Sequence, residues 1–128
     1  MKCKITKSAI IVATICYVVF VTVLSLVKLS DDTLKVSIAN VDKVVHFCFY
    51  FGMNFLLLLL VHLYAIRIKN WQIIGVTFAT VAYGFVVEII QHYVGREFDA
   101  GDIIANAVGS IFSLVLYLSI KSYVSRIS

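Results

Sequence analysis

The chain has 128 residues, 62% of them hydrophobic and only 14% charged, with a net charge of +4 and a mean hydropathy of +1.01. A soluble domain of this length is about half apolar and about a quarter charged, so one water-surrounded core is excluded and lipid is the solvent that fits. The eleven basic residues are dispersed between apolar runs, with neither a basic stripe nor a nucleic-acid-binding motif, which excludes nucleic acid and leaves membrane lipids as the expected partner.

Four continuous apolar segments follow one another, at residues 8–27, 44–66, 72–94 and 102–120. Each is long enough as a helix, at ~1.5 Å per residue, to cross a hydrocarbon layer of ~30 Å, and too long and too continuous for a barrel strand. The expected fold is therefore all-α: a single domain of four transmembrane helices spanning residues 1–128. The first segment follows Lys2, Lys4 and Lys7 as a secretory signal would, but it is long for an h-region and no A-x-A site follows it, so it reads as a retained helix. With the N-terminus inside, seven of the eleven basic residues (Lys2, Lys4, Lys7, Arg67, Lys69, Lys121 and Arg126) fall on the inner side and four (Lys28, Lys35, Lys43 and Arg96) on the outer. That bias predicts both termini in the cytoplasm. Trp71, close to Arg67 and Lys69, reads as an inner-interface anchor.

Between the first two spans, Asp31 and Asp32 carry no specific signal. Cys3, Cys16 and Cys48 have no CxxC spacing, and nothing in them indicates a disulfide framework or a zinc site; acylation of Cys3 rests only on its lysine neighbours. The second span is entered by VDKVVHFCFYF, in which Asp42, His46 and Tyr50, spaced i, i+4, i+8, form one polar stripe beside Lys43. His62, farther along, reads as a packing histidine.

The third span ends in EIIQHYV. Glu88 and Gln91 share a face, and Glu88 lies roughly 9 Å inside the outer end, where a carboxylate is costly unless paired, protonated or wet. Arg96 or Lys43 could neutralise it. His92 reads like His62, and Glu97 reads as solvent-facing. The fourth span opens with DAGDIIANAVG, where Asp99 reads as an N-cap and Asp102 as completing a variant capping box. Asp102, Asn106 and Gly109 share a face, and Ala105, Gly109 and Ser113 form a ladder of small residues suited to close helix packing. Asn106 lies at the depth of Glu88. Three helix ends thus converge at one outer face with Asp42, Lys43, His46, Glu88, Gln91, Arg96, Asp99, Asp102 and Asn106.

These residues in this order resemble the VanZ-like family of bacterial membrane proteins. The resemblance rests on DKVVHF at 42–47, EIIQ at 88–91 and REFDAGDIIANAVG at 96–109, and it treats the first span only as a generic apolar helix. It implies a multi-pass protein of the bacterial cytoplasmic membrane and a link with resistance to teicoplanin, a lipid-tailed glycopeptide acting outside that membrane.

Two uses of the cluster follow. In the first it binds the head group of an envelope lipid, a lipid-linked wall precursor or the drug. Arg96 and Lys43 then engage phosphate or carboxylate, while Asp42, Gln91, Asp99, Asp102, Asn106 and Glu88 orient the rest. In the second it is an intramembrane hydrolase or transferase in which Glu88, Asp102 and His46 move protons. No Ser or Cys is expected in the cluster, which argues against a serine or thiol nucleophile. No residues have metal-specific spacing, and none is assigned as a ligand, although Asp99, Asp102, Glu88 and His46 are donors a divalent cation accepts. A purely structural role, in which the cluster locks the bundle, is the remaining reading.

Overall fold

The computed structural model describes residues 2–27 and 35–127, with side chains described over 7–27 and 41–126. Lys28, Asp31, Asp32 and the side chains of Cys3 and Lys35 lie outside what is described. Four helices follow in order: α1 Lys2–Leu26, α2 Lys35–Tyr64, α3 Asn70–Tyr93 and α4 Ala100–Ile127. Each is long and apolar enough to cross a membrane.

The helices outrun the apolar segments. The second begins at Lys35 rather than at residue 44, so Asp42 and Lys43 lie about two turns inside the helix, with Asp42 on the helical stripe expected of Asp42, His46 and Tyr50. Hydropathy marks where lipid contact starts, whereas nothing between residues 35 and 43 breaks a helix: no Pro or Gly occurs there.

α2 is the central element, packing on all three others, and its broadest contact is with α4. The close approach is made at Gly109 of α4, where a Cβ would overlap the backbone carbonyl of Phe47. The small-residue ladder expected on α4 is therefore part of this seam, with Ser110 and Ser113 fully buried behind it. α1 packs on α2 and α3; Tyr17 lies over Gly52 and donates to the Cys48 carbonyl at 3.2 Å.

Two apolar clusters fill the bundle. Val21, Tyr50 and Met53 form one, and Leu58, Ile73 and Tyr117 the other. Asn54 also lies within the bundle: its Nδ2 donates to the Ser110 carbonyl at 2.9 Å and its Oδ1 accepts from Thr80 at 3.1 Å, joining α2, α3 and α4 where no water competes. His62 is buried as expected of a packing histidine, yet it is not unpartnered. Its Nδ1 lies 2.6 Å from the Tyr117 hydroxyl and its Nε2 3.2 Å from Ser125. His92 is exposed.

Only 17% to 33% of the residues in the most apolar windows are buried inside the bundle, so most of the apolar surface points outward, as a lipid-surrounded protein requires. Phe78, Ile104, Phe112 and Val115 are among these outward residues, and Trp71 stands exposed at the start of α3.

Candidate functional site

At one end of the bundle the C-termini of α1 and α3 meet the N-termini of α2 and α4. The turn between α3 and α4 shapes this end. Gly95 takes φ 91°, its N–H reaches the His92 carbonyl at 3.3 Å, and the Arg96 N–H reaches the Gln91 carbonyl at 3.0 Å. This pair of bonds is a Schellman closure, which needs a residue free of left-handed strain at its turning point. It turns Arg96 back toward α1. There the Ser25 carbonyl, in the last turn of α1, accepts from Arg96 Nη1 at 2.6 Å and from Gln91 Nε2 at 2.7 Å.

α4 is capped by its own Asp99 together with Glu88 of α3. Asp99 is the N-cap: its Oδ1 accepts from the Gly101 N–H at 2.7 Å. The expected partner for the Asp99 N–H was Asp102, three residues on. Instead that N–H donates to Oε1 of Glu88 at 3.0 Å. Glu88 is 1% exposed, and no cation pairs with it among the described residues, so the anticipated neutralisation by Arg96 or Lys43 does not occur. Its Oε2 is buried without a hydrogen bond.

Because Glu88 takes over the cap, Asp102 is free to face the other way. Its side chain, 6% exposed, has Oδ2 3.7 Å from His46 Nε2 and Oδ1 3.9 Å from Lys43 Nζ, and Oδ1 has no hydrogen bond. Asp42 Oδ1 stands 3.8 Å from the same Nε2 and 4.0 Å from Arg96 Nη2. On the far side of the ring, His46 Nδ1 lies 3.0 Å from Asn106 Oδ1. An amide oxygen only accepts, so Nδ1 is the donor. Asn106 in turn packs at the level of Gly84, one turn below Glu88, with the Tyr50 ring beside it.

Lys43 Nζ binds Asp99 Oδ2 at 3.0 Å. That bond, together with the Gly101 N–H, holds the Asp99 carboxyl below its ordinary value. A lowered folded-state value means that the contribution is complete above the unfolded-state value and is lost as pH falls through the folded one. Asp99→Asn keeps the cap and removes the charge. It is expected to lower thermal stability at neutral pH and to flatten the further loss below about pH 4, measured by unfolding in detergent across a pH series.

All nine expected residues therefore lie at this end, but their groupings differ from the expected ones. Lys43 and Arg96 are engaged within the protein rather than presented as free cations. Asp99 and Glu88 pair with backbone amides and Lys43, away from His46. Ser25 also borders the cluster, against the expectation that no serine would; its hydroxyl is buried without a hydrogen bond. What Ser25 lends is mainly a main-chain carbonyl, which no side-chain motif reveals. The only general signal is that last-turn carbonyls need donors. Glu97 is exposed.

Beside the cluster, a groove of about 340 Å³ runs between α2 and α4, lined by Lys43, Val44, Phe47, Gly101, Ile104, Ala105 and Val108. Its rim residues Val44 and Ile104 are 61% and 63% exposed, so it opens on the lipid-facing side of the bundle.

A family model described as VanZ/LLP1 matches residues 6–121. No curated protein and no solved structure matches the chain. The family match takes in α1, which the motif resemblance over residues 42–109 had left as a generic helix.

Proposed function

Since the chain belongs to the VanZ/LLP1 family of membrane proteins, we propose that it binds an envelope amphiphile at the outer face of the bacterial cytoplasmic membrane. The candidates are an envelope lipid, a lipid-linked wall precursor and teicoplanin itself. Both termini then lie in the cytoplasm, as the distribution of Lys and Arg favours, and the polar end faces outward.

One observation carries this reading: the polar cluster and the apolar groove are continuous, and Lys43 and Gly101 belong to both. A head group at the cluster and a tail in the groove is the arrangement an amphiphile requires. Lys43 is the cation placed where the two meet, and a head-group anion there would compete with Asp99 for it.

Val44→Trp fills the groove from its exposed rim without touching the cluster. It is expected to lower the lipid retained per purified chain severalfold, read by mass spectrometry of the extract, with folded yield preserved. Lipid content equal to wild type would sink the groove as the tail site. In cells, expression of the wild type is expected to raise tolerance to teicoplanin and not to vancomycin, which lacks the lipid tail. Val44→Trp should abolish the rise.

A further inference from the structure

We propose that Asp42, His46 and Asp102 form a binding site for a divalent transition-metal ion, Zn²⁺ or Mn²⁺. The inference stands apart from the amphiphile reading and needs no lipid in the groove.

Charge gives the first reason. Among the described residues, four carboxylates (Asp42, Glu88, Asp99 and Asp102) gather at this end against two fixed cations, Lys43 and Arg96. Lys43 is spent on Asp99, at 3.0 Å, and reaches Asp102 only at 3.9 Å. Arg96 makes its close bond to the Ser25 carbonyl and stands 4.0 Å from Asp42. Negative charge is thus left over around His46, in a place largely shut off from water.

The second reason is how the buried His46 ring is held. His46 has its Nδ1 committed to Asn106 Oδ1 as a donor, which leaves Nε2 of the neutral ring with a lone pair. That lone pair faces Asp42 Oδ1 at 3.8 Å and Asp102 Oδ2 at 3.7 Å, two acceptors facing a third. Acceptors gathered this closely, with no hydrogen bond between them, make a place that a cation fits.

The geometry suits a metal. One ligand atom from each of the three residues lies within 4.8 Å of the others. Metal bonds of about 2.1 Å at tetrahedral angles need ligand atoms about 3.4 Å apart, so His46 is within a few tenths of an ångström of both partners. Asp42, 35% exposed, has the freedom to close the remaining edge. Asn106 holds the ring from behind, as the outer partner of a metal-bound histidine does. One imidazole with two carboxylates favours Zn²⁺ or Mn²⁺ over Mg²⁺ or Ca²⁺, which prefer oxygen alone. This set differs from the donors considered from sequence: Asp99 and Glu88 are turned away, and Asp42 takes their place.

The test uses the full-length protein, free of affinity tags, in detergent. It is stripped with EDTA, dialysed against ZnCl₂ or MnCl₂, desalted and assayed for metal by mass spectrometry, with thermal unfolding followed in parallel. Wild type should retain about one ion per chain and unfold at a higher temperature when loaded. Asp42→Asn and Asp102→Asn should bind at least tenfold more weakly, and Asn106→Ala ten- to a hundredfold more weakly, the range about typical of an outer partner. Glu97→Gln, exposed, should match wild type. Failure of wild type to retain either ion overturns the proposal and leaves a proton on His46 Nε2 as the positive charge. Retention unchanged in Asp42→Asn overturns it as well. That variant sits at a partly exposed position, so it decides the question even where Asp102→Asn does not fold.

Discussion

Gly109→Ala destabilises the protein by about 1–3 kcal/mol, the range of an overpacked core, measured by denaturant unfolding in detergent. The added methyl meets the carbonyl of Phe47, a backbone atom on the central helix that has no rotamer to yield. α4 must therefore back away from α2. The shift reaches the site, because Phe47 adjoins His46 and because Lys43 and His46 both reach across the same seam to Asp99 and Asn106. Gly75→Ala is the matched control. A Cβ there meets nothing within 4 Å, and the same chemical change on an outward helix face should be neutral or stabilise by about 0.5–1 kcal/mol. Equal effects at the two positions would show that helix propensity, not the seam, governs them.

Glu88 gives the second large effect, and it separates scaffold from function. Glu88→Ala strips the cap of α4: the Asp99 N–H loses its acceptor, and a cavity opens where a fully buried side chain stood. The expected loss is about 2–4 kcal/mol, combining a lost buried hydrogen bond with the void. Glu88→Gln retains an oxygen for that N–H and keeps the volume, so folded yield should stay close to wild type. What it removes is the ionisable oxygen that has no partner. If lipid retention and teicoplanin tolerance fall in Glu88→Gln while the fold holds, the carboxylate serves the bound molecule. If Gln collapses as Ala does, the cluster is a lock for the bundle and the binding proposal loses its polar half.

Much of this architecture was legible before any coordinates. The four apolar runs mark four spans because lipid demands an unbroken apolar stretch of helix length, and the positions of Asp, Glu and His along those runs mark which end is polar. Depth along a helix is a one-dimensional property and can be counted. Pairing is not. Whether Glu88 meets Lys43, Arg96 or a backbone amide depends on how each helix is rotated, and rotation is set by contacts such as Gly109 on Phe47 and Gly52 under Tyr17. Capping motifs are read within one segment, so the exchange of Asp102 for Glu88 at the start of α4 lay beyond them. The Ser25 carbonyl lay further still, since any residue carries one. The start of α2 was misplaced for a simpler reason: hydropathy measures contact with lipid, and a helix extends until its backbone is stopped.

The spacing of the partners along the chain also orders its synthesis. Glu88 finds the Asp99 amide only 11 residues later, so α3 and the start of α4 can settle their most costly polar group between themselves as they leave the ribosome. Lys43 waits 56 residues for Asp99, and the Ser25 carbonyl waits 66 and 71 for Gln91 and Arg96. The first two helices therefore enter the bilayer with unmet demands that only the finished second hairpin can answer. A chain cut short before that hairpin lacks Gln91, Arg96 and Asp99, the partners that the Ser25 carbonyl and Lys43 have in the finished bundle.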